Sequence, residues 1–121
     1  SLEFYDRVAY HDYEGIALNL DEQKRLVADL GDMNALILRN HGLLTVGATV
    51  ADAFLAMYFF LFVCTIQVRA MAGGSELIEV DPAIIATARQ QAALATRGLG
   101  AQLTWPGLLR RLDRRRPGYD A

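Results

Sequence analysis

Hydrophobic and polar positions change their spacing several times along the chain, and each change predicts an element. Val8, Ala9 and Tyr10 read as a short strand running into "HDYEG", where Asp12 and Gly15 are turn residues. Asp21 is placed to cap a helix that carries Leu26, Val27 and Leu30 on one face and stops at Gly31. The run "ALILR" from Ala35 to Arg39 is apolar without helical spacing, so it predicts a buried strand. After the "NHG" corner, Leu43 to Val46 predicts a second extended segment, and the two bracket His41.

Thr49 followed three residues later by Asp52 is a capping-box pattern, with aspartate in the place usually taken by glutamate. It predicts a helix from Val50 to about Met71, ended by Gly73 and Gly74. Through Phe62 that helix is apolar on nearly every face, which requires burial on several sides. A chain of 121 residues can hardly surround it, so the pattern predicts cover from a further part of the protein or from neighbouring subunits. Asp81 and Pro82 then open a helix through about Arg97. Gly98 and Gly100 are expected to form a hinge, with a last short helix from about Pro106 to Arg115 that Trp105 pins to the body. The expected division is a domain part over residues 1–97 and a tail over residues 98–121. Strands alternating with helices make the class α/β.

Composition narrows the function. A net charge of −2 provides no field that would draw the chain to nucleic acid. The cluster Arg110, Arg111, Arg114, Arg115 and Arg116 is interrupted by Leu112 and Asp113 and reads as a solvated helix face. The longest apolar run, Ala53 to Ile66, is shorter than the roughly 20 residues a bilayer span requires, so no membrane partner is expected. The only cysteine, Cys64, lies inside that run as a core residue, and with no signal-peptide pattern the expectation is a cytoplasmic protein.

Chemistry concentrates in two places. His41 follows a buried strand, and Gly42 lets the backbone turn beside it; a neutral imidazole there serves either as a ligand or as a hydrogen-bonded turn residue. "YHDYEG", residues 10–15, packs two phenols, an imidazole and two carboxylates together, enough for acid–base work or for an ordinary polar turn. Arg69 reads as a helix-end charge or a buried ion-pair partner, ahead of an anion site. Gly42 and Gly47 lack the spacing of a phosphate loop.

Taken together, "VAYHDYEGIAL", "LILRNHGLLTVG" and "TIQVRAMAGG" resemble the class II aldolase/adducin family, over about Arg7 to Ala88 and closer to its adducin-head branch. The resemblance implies a three-layer α/β/α domain, of which this chain carries only the C-terminal half, in a four-fold symmetric tetramer with sites between subunits. It implies a divalent metal, usually zinc, held by three histidines, and His41 matches the third of them. Such a metal withdraws charge from an enediolate as a carbon–carbon bond breaks beside a carbonyl. Some family aldolases protonate the leaving aldehyde with a tyrosine from the adjoining subunit. Tyr10 is the best match to it, while Tyr119 and His11 receive no role.

The family's H-x-H pair and upstream glutamate have no counterpart here. Together with a start at Ser1 and Leu2, this favours a fragment that has no independent aldolase activity over a naturally short, metal-free homologue. Two functions remain open. One is a metal-dependent lyase acting on a small hydroxy-carbonyl, sugar-phosphate-like substrate; the other is a non-catalytic, adducin-head-like oligomerisation module.

Overall fold

The computed structural model describes residues 4–15, 20–96 and 99–120. Strand β1 (Val8–His11) is followed by helix α1 (Leu20–Leu30), strands β2 (Ala35–Leu38) and β3 (Gly42–Thr45), and helices α2 (Val50–Ala72), α3 (Pro82–Thr96) and α4 (Gly100–Arg115). The sheet order is β1-β2-β3. β1 pairs parallel with β2, Val8 opposite Ala35 and His11 opposite Leu38, so α1 forms the crossover that a parallel pair requires. β3 returns antiparallel to β2 as a hairpin, with Leu38 opposite Gly42.

The three layers follow from the two-residue period of a strand. His11 turns to α1, where it meets Asp29 and Glu22. Its neighbour Tyr10 turns the other way and lines a cavity with Phe60, Val63 and Cys64 of α2. The sheet therefore lies between α1 and α2, and α4 packs along α2. Ala35 and Leu36, both fully buried, and Phe60, stacked on Phe4 at 4.9 Å between centroids, form the centre.

Local chemistry explains the joints. The corner between β2 and β3 is a turn in which the His41 N–H donates to the Leu38 carbonyl at 3.0 Å. Asn40 takes φ +57° there, a left-handed conformation that asparagine tolerates better than most residues. The Thr49 hydroxyl accepts from the Asp52 N–H at 3.2 Å, and the Asp52 carboxylate accepts from the Thr49 N–H at 3.1 Å, which completes the expected capping box. A Cβ at Gly47 would stand 2.6 Å from the Ala53 nitrogen, so the chain can enter this cap only with glycine there.

Three expectations change. α4 begins at Gly100 instead of Pro106, and Gly100 is helical instead of a hinge; Gly98 and Arg97 lie outside the described residues. Pro106 sits inside the helix, where it removes one backbone bond. The packing on α2 offsets that loss: Trp105 meets Phe54 edge-on at 5.5 Å, and Gly100 lets the helix approach Leu55. Second, Val27 points outward, 72 % exposed, because the inward face of α1 is set by Glu22, Leu26 and Asp29. Third, α2 is long and apolar enough, by length and composition alone, to cross a bilayer, which the shorter uninterrupted run did not suggest. Of its residues only Phe60 is buried, while Tyr58, Leu61, Phe62 and Ile66 are exposed.

Candidate functional site

A cavity of about 60 Å³ opens at the carboxyl ends of the parallel strands β1 and β2, the edge at which open α/β sheets bind ligands. That volume holds a few waters or one small functional group. Its wall is formed by His11 at the end of β1 and residues 12–15 after it, by Glu22 and Leu26 of α1, and by Leu38, Arg39 and His41 at the hairpin corner.

Each wall is tied to the next. The Arg39 N–H donates to the His11 carbonyl at 3.0 Å, and the Arg39 guanidinium pairs with Asp12 at 3.1 Å. Tyr13 stacks on His41, with ring centroids 6.2 Å apart. On the helix side, Glu14 accepts from the Arg25 guanidinium, at 2.7 Å from Nε. That hydrogen bond holds the Glu14 carboxyl below its ordinary value and makes Arg25 harder to deprotonate. A depressed carboxylate stabilises the fold above its unfolded value near 4.5 and loses that contribution as pH falls through the lower folded value. Glu14→Gln should therefore flatten the acid limb of a melting-temperature profile. An unchanged acid limb would show that the pair contributes nothing.

At the floor lies His11, 4 % exposed. Its Nδ1 is 2.7 Å from Asp29 Oδ2, and its Nε2 is 3.7 Å from Glu22 Oε1. Glu22 is 6 % exposed, an unusual burial for a carboxylate.

His41 is exposed on the rim of this cavity. Tyr10 lies on the opposite face of the sheet, in the cavity against α2, where Arg39 stands over its ring at 5.1 Å. The two candidate residues therefore do not meet within one chain. Tyr119 follows α4 beside Asp113; desolvation first, and then that carboxylate, pushes its phenol up. The residues not foreseen are Glu22, Asp29 and Arg39. Glu22 and Asp29 are two helical turns apart with Leu26 between them, so a stripe of two carboxylates and a leucine on one face was the available signal.

The implied metal can be tested against these donors. Among the described residues no three His, Cys, Asp or Glu side chains are placed to hold a metal ion. His41 contributes one imidazole, and the nitrogen of His11 nearest Asp29 is already engaged. The described residues do not make a metal site by themselves.

A three-layer domain with a titratable cleft at the carboxyl ends of its parallel strands has the architecture of α/β domains, in which that edge is the usual place for a ligand. Comparison with known proteins makes the assignment specific. Residues 1–68 match the family model described as Class II Aldolase and Adducin N-terminal domain, and the chain belongs to the class II aldolase/adducin family. Proteins named "Putative aldolase class 2 protein" from Pseudomonas aeruginosa and Caulobacter vibrioides are 51% and 48% identical to it, each over 98% of this chain. α-Adducin of Rattus norvegicus is 39% identical over 81% of the chain, which covers 14% of that protein. The crystal structure of an aldolase II superfamily protein from Pseudomonas syringae superposes with a TM-score of 0.79 at 46% identity, over 93% of this chain and 45% of that one. The chain spans about half the length of the two bacterial relatives, 47% and 46%.

Proposed function

We propose that the protein to which this chain belongs is a class II aldolase-type lyase that cleaves a carbon–carbon bond in a small hydroxy-carbonyl substrate. The observation that carries this reading is the cleft at the strand ends, where an exposed imidazole, a buried imidazole and a buried carboxylate surround a space for one small polar group. Such a set binds, orients and exchanges protons with a hydroxylated ligand. In this reading zinc or another divalent cation is the cofactor, His41 gives one ligand, and the remaining ligands lie beyond the described residues. Tyr10 faces away from its own His41, so it would serve a neighbouring subunit, and the assembly is a homo-oligomer of the tetrameric kind. The compartment is cytoplasmic, with no nucleic-acid or membrane partner.

The reading is tested by assaying aldehyde release from a panel of hydroxy-carbonyl compounds and their phosphates, before and after chelation. Turnover lost on chelation and restored by zinc is expected. Turnover indifferent to chelation, or absent across the panel, overturns it. A second reading, an adducin-head-like module without chemistry, is favoured by the α-adducin match over 81% of the chain. A wild-type protein that forms its oligomer yet turns over nothing in the panel, with or without zinc, would support that alternative.

A further inference from the structure

The cleft contains a group to which the proposed function assigns no atom-level task. His11 is buried, and its Nε2 has no hydrogen-bond partner among the described residues. Buried polar atoms are nearly always paired, so an orphan marks a place for a bound donor or a group kept for chemistry.

The surroundings fix what the orphan can do. Nδ1 lies 2.7 Å from Asp29 Oδ2. An ionised carboxylate only accepts, so the network assigns the hydrogen of the neutral ring to Nδ1 and leaves Nε2 as a bare lone pair. That lone pair faces Glu22 Oε1 at 3.7 Å, beyond hydrogen-bond range. Two electron-rich atoms thus face each other with no hydrogen between them, on the wall of a cavity sized for one small group. The gap takes a donor.

We propose that Asp29, His11 and Glu22 form an acid–base site in the floor of the His41 cavity, where Nε2 accepts the hydroxyl proton of a small hydroxy-carbonyl ligand. The proposal rests on the aldolase-type reading of the cavity. In the step, the ligand O–H bond breaks, its electron pair stays on the ligand oxygen, and the proton forms a bond to Nε2. The imidazolium that results lies between two carboxylates, Asp29 on the Nδ1 side and Glu22 on the other. The remaining charged or titratable groups on the cavity wall are Asp12, Tyr13, Glu14, Arg39 and His41, all on its outer side. A carboxylate that orients one ring nitrogen while the opposite nitrogen moves the proton is the division of labour that makes imidazole a general base.

Nitrogen NMR on histidine-labelled protein reads this directly, with His11→Gln and His41→Ala each removing one resonance pair and so assigning the two histidines of this chain. The neutral His11 ring should carry its hydrogen on Nδ1, opposite to the preference of free histidine in water. Dihydroxyacetone, used as the probe, should shift the Nε2 resonance far more than Nδ1, and Asp29→Ala should abolish both features. A ring protonated on Nε2, or an Nε2 resonance unmoved by dihydroxyacetone, overturns the proposal; the wild-type spectrum decides this even if the variant fails to fold. In the turnover assay, His11→Gln should lower kcat by roughly 10²–10⁴-fold, the usual worth of a general base. Undiminished turnover in that variant overturns this site alone. A responsive Nε2 in a protein without aldolase-type turnover overturns the function and leaves the site standing.

Discussion

Phe60→Ala should remove a large fraction of the stability of the fold. Phe60 is 2 % exposed, stacks on Phe4, and is the only buried residue of α2. Truncating such a ring costs about 3–5 kcal/mol, because the surroundings relax only partly around the cavity left behind. Against a total stability of about 5–15 kcal/mol for a domain, that is a large fraction. Chemical denaturation followed by circular dichroism measures it. Val27→Ala, on the outward side of α1 and 72 % exposed, is the control and should change stability by less than about 0.5 kcal/mol. Equal losses in the two variants would mean that α2 does not pack on the sheet through Phe60.

The second large effect is expected at the corner between β2 and β3. His41→Ala in the whole protein should remove turnover and metal while leaving the fold and the oligomer intact. His41 is exposed, and its backbone turn is held by its own N–H on Leu38 and by the conformation of Asn40, neither of which needs the imidazole. Loss of a partner that merely orients a metal ligand costs about 10–100-fold in affinity, so loss of a ligand should exceed that range. The variant is checked by elution volume, melting temperature and aldehyde release together. Normal turnover in a well-folded His41→Ala protein would assign His41 to the turn alone.

The parts legible in the sequence were those written in local chemistry. Thr49 and Asp52 fixed where α2 starts, because a cap is decided within four residues. "ALILR" and "LLTV" around "NHG" gave the hairpin, because a polar corner between two apolar runs has few other solutions. Where tertiary contacts outweighed local preference, the pattern misled. Pro106 should open a helix, yet α4 runs through it because Trp105, Gly100 and Ala101 hold the helix against α2. Val27 should face inward with Leu26, yet it is turned out by the pairing of Glu22 and Asp29 with His11.

The site followed the same division. His41 is conspicuous in sequence as one imidazole beside a glycine corner, and it lies on the rim of the cavity. His11 stood in full view inside "HDYEG", but its burial depends on a strand that ends one residue later than the pattern indicates. That single residue places it on the α1 face, while Tyr10 falls on the α2 face. Its partners Asp29 and Glu22 lie 18 and 11 positions away, which no local window connects. The exposed apolar side of α2 was anticipated from its composition, since a helix apolar all round cannot be buried by one thin sheet and one short helix.

The measurement that tests the account most directly is the metal content of the intact protein, purified without chelator and counted per chain by elemental analysis. The account predicts about one divalent ion, zinc foremost, for each cleft, lost on treatment with chelator and absent from His41→Ala. A folded, oligomeric protein that contains no stoichiometric metal, and binds none when zinc is supplied, would contradict it.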